Sequence, residues 1–401
     1  MSNKRKIIDA VYQAFTYLAS FVSILALGLI FMFVLNKGFG LLKWDLVVSD
    51  YHAKYYNGGM PEVLEFSETE RPESFINEVY YSEKWGLALI DGKDKENNII
   101  VEVYFIAEDS PLKEIIDKNE NDYENFGLDV GDLVTIIKFN DGMTSAVSSW
   151  GAQNMITQLD SVNEFREIVF STEGGGIRGS IITTLYLIGL TLVFALPIGI
   201  FTAIYLNEFA KKNKITNILR SMIELLTGVP SIVFGLMGLA VFVPLTVKYT
   251  SATSGNILSG SLTLAVILLP VIIRSTEESL KVVPDGLRSA SLALGANHTQ
   301  TTFKVVLPGA LPGIITGTLL AVGRIIGESA ALIFAIGTAV KDDISIFGKS
   351  TSLAVHIWSL MSDEPANIEL ASTIALIILI IVLALNITVK LVTSRFMKSY
   401  N

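Results

Sequence analysis

The chain has 401 residues, of which 51% are hydrophobic, no cysteine and a formal net charge of −9, and its mean hydropathy is +0.52. That hydropathy is too high for a soluble globular protein. Without cysteine, disulfides and thiolate metal sites are excluded, and His52, His298 and His356 lack ligand spacing, so we expect no metal and no other cofactor.

Six segments are free of charge over a length that can cross a bilayer, which takes about 20 residues. They predict six transmembrane helices, at Ala10–Asn36, Gly179–Asn207, Leu225–Val247, Tyr249–Ile273, Val305–Gly323 (resuming at Ser329–Val340) and Leu370–Val389.

The charges divide unevenly along the chain. Lys37 to Arg178 holds 12 basic and 27 acidic residues, whereas basic residues cluster at the N-terminus, after the second apolar segment and at the C-terminus. With six crossings, these three clusters fall on one side, which the positive-inside rule makes the cytoplasm. We therefore expect a multi-pass protein of a bacterial or archaeal plasma membrane, with both termini cytoplasmic.

Three regions follow from this pattern. Residues 1–40 are an N-terminal tail and the first transmembrane helix, residues 41–172 an acidic extracytoplasmic domain, and residues 173–401 a helical membrane core with a cytoplasmic loop at 275–310. The fold class is thus all-α integral membrane, with a small β-rich α+β domain inserted between helices 1 and 2. Its negative charge argues against nucleic acid as a ligand.

Inside the acidic domain, apolar runs at Trp85–Ile90 and Ile99–Ile106 predict a hairpin around the polar turn Asp91–Asn98. Leu133–Phe139 predicts a third strand that ends in the turn Asn140-Asp141-Gly142. Asp160–Phe170 indicates a short amphipathic helix or a helix followed by a strand.

The cytoplasmic loop contains residues that typically begin or end helices. Pro284 stops one helix, Asp285 can cap the next, and Gly295 is placed as the glycine that follows it. A second segment runs from Thr299 to Leu307-Pro308. We expect two short helices across the membrane surface, an element that a partner can grip and push.

Four charged residues lie in or near apolar segments and are candidates for a transport pathway. Arg324 and Glu328 are four residues apart and would share a helix face. An arginine fork suits a tetrahedral oxyanion, and a neighbouring carboxylate would allow release; a structural ion pair is the alternative. Arg274 and Glu224 lie nearer helix ends, where snorkelling or capping is an equal explanation.

Small residues recur every four positions at Gly309, Gly313, Gly317 and Ala321. Such spacing lets a second helix approach closely, either within this chain or in a partner.

The loop resembles the coupling loop of ABC-importer permeases, whose pattern is E-A-A, a glycine, then I-x-L-P. Ser289-Ala290-Ser291 stand at the E-A-A positions, with Gly295 and Leu307-Pro308 following, and Pro284 and Arg288 precede them. Ser289 replaces the usual glutamate. Three flanking stretches are similar to phosphate-specific permeases of the PstA type, namely Leu226–Leu236, Thr276–Pro284 and Gly323–Ala330.

The resemblance implies a type I ABC-importer permease fold and a heteromeric importer. Its expected partners are a second homologous permease, an ATPase dimer that binds ATP, an extracytoplasmic phosphate-binding protein, phosphate and membrane lipid. The chain itself would not be an enzyme, since Phe347–Thr351 ends like a P-loop but has Asp343 where the first glycine is needed.

The acidic domain is similar to a PDZ domain at Gly86–Ile90, Val101–Ile106 and Gly127–Val134, although Ala88 stands where a second glycine is usual. The resemblance implies peptide capture by strand addition; a rigid spacer or a docking surface for the binding protein is the alternative.

These observations predict a permease subunit for inorganic phosphate. A permease for another oxyanion, such as molybdate or sulfate, and a membrane-anchored PDZ-like scaffold or sensor remain the alternatives.

Overall fold

The computed structural model describes residues 3–60, 71–72, 75, 78–93, 98–118, 127–140, 145–172, 174–211, 213–363 and 365–400. It divides the chain into two compact units, Met1–Tyr51 with Gly176–Asn401, and His52–Gly175. The expected boundaries at 41 and 172 therefore shift to 52 and 175. The reason is local: Ile177 N–H donates to Leu46 O (2.9 Å) and Arg178 pairs with Asp50, which holds residues 44–50 to the helical unit.

Helices α1, α2 and α4 to α14 belong to the first unit and α3 to the second. In chain order they are α1 (Asn3–Gly38), α2 (Trp44–Val48), α3 (Ala152–Asp160), α4 (Arg178–Ile204), α5 (Lys214–Thr227), α6 (Ser231–Met237), α7 (Val243–Tyr249), α8 (Ile257–Val282), α9 (Asp285–Ala293), α10 (His298–Thr301), α11 (Leu307–Gly327), α12 (Ala330–Ala335), α13 (Leu353–Ser362) and α14 (Ile368–Tyr400). Wide π-helical turns at Tyr205–Phe209, Gly238–Phe242 and Thr302–Val306 extend α4, join α6 to α7 and join α10 to α11.

Within the described residues, 6 helical segments are long and apolar enough to cross a membrane, as the sequence predicts. They are Val11–Gly38, Arg178–Phe209, Ser231–Tyr249, Ile257–Val282, His298–Gly327 and Ile368–Thr388.

Three predicted bounds were wrong. The third span begins at Ser231 rather than Leu225, because Pro230 separates it from α5. The fourth begins at Ile257, after the capping box of Asn256 and Ser259. Beyond Gly327 the fifth does not resume as a crossing, since only the short helix α12 follows there.

Helix α8 is central to the membrane unit and packs against α4 and α11. Gly199 of α4 allows the first contact, because a Cβ atom there would lie 2.6 Å from Ile272 Cγ2. Buried apolar residues from α4, α8, α11 and α12 form the main core, among them Leu187, Leu264 and Leu332.

The segment that resembles a P-loop packs against the start of α4. The hydroxyls of Ser350 and Thr183 are hydrogen bonded, and His356 Nδ1 lies 2.9 Å from Ser180 Oγ. Burial lowers the pKa of His356 to about 4, although the Asp363 charge opposes this, so the imidazole is neutral at pH 7. These contacts give the segment a packing role.

The second unit is built on one sheet. Its strands are β1 (Tyr55–Gly59), β2 (Val79–Ser82), β3 (Leu87–Lys93), β4 (Ile99–Ile106), β5 (Ile116–Asp117), β6 (Leu133–Phe139), β7 (Ser145–Val147) and β8 (Phe165–Ser171). The order is β2-β3-β4-β6-β8-β1-β5, with β7 paired to β6, and every described pair is antiparallel. The hairpin of β3 with β4 and the strand β6 confirm the sequence prediction; residues 94–97 and 141–144 of the expected turns lie outside the described residues.

Helix α3 covers the core of this sheet. Trp85 is fully buried and its Nε1 donates to Leu159 O of α3 (3.0 Å). The helix lies at Ala152–Asp160 and the strand at Phe165–Ser171, so the strand at the end of the predicted Asp160–Phe170 segment is confirmed, whereas the helix ends at Asp160 instead of beginning there. Residues 161–164 are the connection between these two elements.

Strand β3 follows the Gly86 loop, and its residues 87–90 are paired on both sides. It pairs with β2 from Ser82↔Leu87 to Val79↔Ile90 on one side and with β4 on the other. Strand addition requires unpaired backbone groups, so residues 87–90 of β3 cannot accept a peptide strand; peptide capture by strand addition elsewhere on the sheet stays a prediction. The wider PDZ-like interpretation stays a prediction.

Candidate functional site

The 284–308 loop begins with helix α9. Pro284 occupies the N-cap position with extended backbone, and Asp285, which was expected to cap, lies inside the first turn. Gly295 follows the C-cap residue Leu294 and has φ +90°, a conformation that favours glycine. The helix and its terminal glycine are therefore as predicted, and the identity of the N-cap was wrong.

The second half of the loop is not a separate surface helix. Asn297 and Gln300 form a capping box at the start of α10, and from there a continuous helical segment of 30 residues runs from His298 to Gly327. Pro308 lies in the first turn of α11 directly after the π-helical turn Thr302–Val306. A wide turn next to a residue that lacks an N–H lets the helix continue, so the expected stop at Leu307-Pro308 was wrong.

Helix α9 exposes apolar surface. None of its residues is fully buried, and Leu294 at its end is 90% exposed. Leu287 and Leu292 are also exposed, while Ser289 and Ala290 of the E-A-A positions face outward. An open groove of about 540 Å³ separates α9 from α10, with Leu287, Ser291 and Lys304 among its lining residues. Exposed leucines beside a groove indicate a surface for another protein.

Beneath this surface the loop sits on the ends of several helices. Its apolar base is one buried cluster of Ile204, Leu280, Val283, Val306, Ala310 and Ile314. The hydroxyls of Ser291 and Thr301 are 2.9 Å apart and tie α9 to α10. Arg288 turns inward and reaches Glu208 near the end of the second span.

Arg324 and Glu328 do not share a helix face. Arg324 is exposed in the last turn of α11, whereas Glu328 follows the helix with extended backbone (ψ 121°). Glu328 Oε1 instead accepts a long bond from Ala331 N (3.4 Å) at the start of α12. The helix ends at its C-cap residue Glu328, and among the described residues no ion pair joins the two side chains, so the expected i, i+4 pairing was wrong; their roles in a pathway stay predictions.

Arg274 and Glu224 do meet. Arg274 Nη1 lies 3.4 Å from Glu224 Oε1 and Nε lies 3.3 Å from Glu278 Oε1. These side chains border a pocket of about 220 Å³ between α5 and α8. Because all three are well exposed, the pairs add little stability.

A third ion pair beside this pocket is not indicated by the sequence. Arg220 Nη2 lies 3.2 Å from Glu277 Oε1, and the Glu277 side chain is largely buried. The same nitrogen donates to Leu206 O (2.6 Å). Fifty-seven positions separate the two charges, and no local pattern indicates contact over that distance.

The packing of α8 on α11 shows at which levels along the helix axes Arg274 and Arg324 lie. Gly309 faces Val283, Gly313 faces Ser279 and Gly317 faces Ser275, so position 318 lies opposite Arg274. Arg324 is six residues further along α11, an axial offset of about 9 Å at 1.5 Å per residue. The two arginines therefore occupy different levels of the bundle. The small-residue stripe serves packing within this chain.

Comparison with known proteins gives one family and several relatives. The family described as "Binding-protein-dependent transport system inner membrane component" matches residues 195–398. The "Probable ABC transporter permease protein YqgI" of Bacillus subtilis is 38% identical over 200 residues, 47% of this chain and 66% of that protein. The "Phosphate transport system permease protein PstA" of Mycobacterium leprae is 34% identical over 235 residues, 58% of this chain and 75% of that protein. These matches confirm the resemblance that the loop and its flanking motifs predict.

Among solved structures, an inward-facing MetNI methionine ABC transporter is 22% identical, with a TM-score of 0.44 over 55% of this chain and 95% of that chain. This likeness adds nothing to the family match. The unit His52–Gly175 lies outside the matched segment.

Proposed function

We propose that this chain, which belongs to the family of binding-protein-dependent transport system inner membrane components, translocates inorganic phosphate as one permease of an ATP-driven importer. Family membership makes it a membrane subunit of an ABC transporter. Phosphate is proposed because relatives that are 32% and 34% identical carry the name phosphate transport system permease protein.

The observation that carries the proposal is the exposed surface of α9. A helix with a 90% exposed leucine at its end, seated on a buried apolar base, is suited to receive a partner and to pass force to the bundle. We propose an ATPase dimer as that partner, with ATP bound there.

The orientation follows from charge. With the basic clusters inside, α9 and both termini face the cytoplasm and the acidic unit His52–Gly175 lies outside. The outer unit is proposed as a spacer or as a docking surface for a phosphate-binding protein, because its negative charge would repel free phosphate. A second homologous permease would complete the pathway.

Arg324 is the proposed phosphate contact within the membrane. Its guanidinium is exposed in the isolated chain and has no described ion pair. A charged side chain inside a membrane is costly, which favours a position facing a partner or a water-filled path. A planar fork of donors matches the oxygens of a phosphate.

The experiment is uptake of labelled phosphate by vesicles that contain this chain, its partner permease, the ATPase and the binding protein. ATP-dependent uptake that excess phosphate blocks, and that molybdate and sulfate leave unchanged, supports the proposal. Competition by molybdate or sulfate would assign another oxyanion. A chain that neither associates with an ATPase nor needs Arg324 would instead be the scaffold or sensor.

A further inference from the structure

Arg288 is the inward anchor of α9. Its side chain is 20% exposed, whereas α9 as a whole has no fully buried residue. Nη1 donates to Val283 O (2.6 Å) and to Asp285 Oδ1 (3.2 Å). Nη2 donates to Leu280 O (2.9 Å) and to Glu208 Oε1 (3.0 Å). One guanidinium thus joins α9, the end of α8 and the end of the second span.

Glu208 lies in the π-helical turn Tyr205–Phe209 and its side chain is 7% exposed. Its Oε1 also accepts from Asn207 Nδ2 (2.8 Å). Among the residues that the structure describes, Arg288 is the only cation that forms an ion pair with this carboxylate. A buried carboxylate without its cation is costly, so the two side chains hold each other in place.

Helix α9 is linked to α4 only through non-covalent contacts, whereas the chain itself links α9 to α8 and α10. Helix α9 is joined to α8 through Val283 and Pro284 and to α10 through residues 294–297, so the chain itself links it to those helices. No covalent connection near the loop reaches α4. Among the described residues, the links there include Arg288 with Glu208, the Phe209 ring at 5.1 Å from the His298 ring, and Ile204 in the apolar base. Of these, the ion pair is made by α9.

We propose that the Arg288–Glu208 pair is the joint through which displacement of α9 is transmitted to α4 during transport, an inference that rests on the proposed function. Lysine cannot replace Arg288 in this role, because its single ammonium cannot span two carbonyls and two carboxylates in a fixed plane. Both side chains are positioning residues: they contact helices rather than substrate. Loss of this ion pair leaves the docking surface intact and removes the link that α9 itself makes to α4.

The test compares two isosteric substitutions in the complete importer. Glu208→Gln removes the charge that links α9 to α4. Asp285→Asn removes the other carboxylate that Arg288 contacts, which is 97% exposed and lies on α9 itself. We expect Glu208→Gln to keep ATPase binding and hydrolysis but to lower phosphate uptake per ATP roughly tenfold, within the usual range of coupling between sites. Asp285→Asn should leave the phosphate uptake per ATP near the wild-type ratio, because this carboxylate lies on α9 and does not link it to α4.

The distance between spin labels on α9 and α4 measures how tightly the two helices are coupled, independently of the transported substrate. The chain has no cysteine, so spin labels at Ser289→Cys on α9 and Ile198→Cys on α4, both at exposed positions, are unique. With the ATPase bound, we expect the same label distance with and without ATP in wild type, and a distance that changes with ATP in Glu208→Gln. A constant distance in both proteins overturns the joint, as does loss of ATPase binding by Glu208→Gln. A wild-type importer that ignores phosphate rejects the substrate, while the label distances still decide the joint.

Cross-linking of α9 to α4 tests whether a covalent bond can replace the ion pair. In Glu208→Cys with Arg288→Cys, a short bismaleimide should restore transport per ATP toward the wild-type value. Cross-linking that is complete and leaves the coupling ratio unchanged would contradict a joint at this position.

Discussion

Gly317 of α11 and Ser275 of α8 leave no room between their helices for a side chain. A Cβ atom on Gly317 would lie 2.6 Å from Ser275 Cβ, and one on Gly313 would lie 2.8 Å from Ser279 Cβ. Glycine on one helix thus faces serine on the other at successive turns. Close backbone approach of this kind is how helices pack where lipid removes the hydrophobic driving force.

Gly317→Leu and Gly313→Leu should each destabilise the membrane unit by about 1–3 kcal/mol or more, the usual range for overpacking. Thermal unfolding of the purified chain in detergent measures this. Gly323→Leu on the same helix is the matched control, because a Cβ atom at Gly323 meets nothing within 4 Å. Equal losses of stability in the three variants would refute the close packing.

Arg324→Gln should abolish phosphate uptake and leave the stability and assembly of the chain nearly unchanged. The reason is that no described ion pair of Arg324 is lost, since Glu328 lies beyond the end of α11. Glu328→Gln should neither reproduce the loss nor relieve it in the double variant. Rescue of Arg324→Gln by Glu328→Gln would show that the two charges are coupled after all.

Leu294→Glu should reduce recovery of the ATPase with the purified permease at least several-fold, because the most exposed leucine of the loop would become charged. Pull-down of the ATPase from a co-expressed importer is the measurement. Thr299→Glu adds the same charge at another exposed position of the loop without loss of apolar surface, and should bind normally. If both variants lose the ATPase alike, charge rather than leucine contact explains the effect.

The raised pKa of Asp132 predicts that the stability of the unit His52–Gly175 depends on pH. Burial raises the pKa of its carboxyl to about 6; an N–H donated by Asp129 opposes this, and the Asp129 charge adds to it. The usual value is about 3.9. Between these pH values the folded state binds more protons than the unfolded state, so stability falls as pH rises from about 4 to about 6 and stays low above that.

Asp132→Asn should therefore stabilise β6 at pH 7 by up to about 3 kcal/mol, from roughly two pKa units at 1.36 kcal/mol each. Hydrogen exchange of Leu133–Phe139 in the full chain, compared between variant and wild type at each pH, measures this. The difference should shrink toward pH 4. A difference independent of pH would assign the effect to packing.

Much of the fold could be read from local patterns. Charge-free length predicts the spans because lipid tolerates few charged side chains, and Ile99–Ile106 and Leu133–Phe139 match β4 and β6 because alternation and turn residues bound them. Gly295 was identified because a positive φ leaves glycine as the usual residue. Prolines account for errors of both signs: the π-helical turn before Pro308 lets the helix continue where a stop was expected, whereas Pro230 separates α5 from the span that was expected to begin at Leu225.

By itself the sequence determined that this protein is a six-span membrane chain with an inserted polar unit and a helical loop of permease type, since hydropathy and helix punctuation are properties of short segments. Only the tertiary structure decided which charged side chains form ion pairs. Arg324 and Glu328, four residues apart, are separated by a helix end, whereas Arg288 and Glu208, eighty positions apart, share a hydrogen bond. The physical reason is that ion pairs depend on side chains brought together by packing, and the spacing of residues along the chain does not encode that packing.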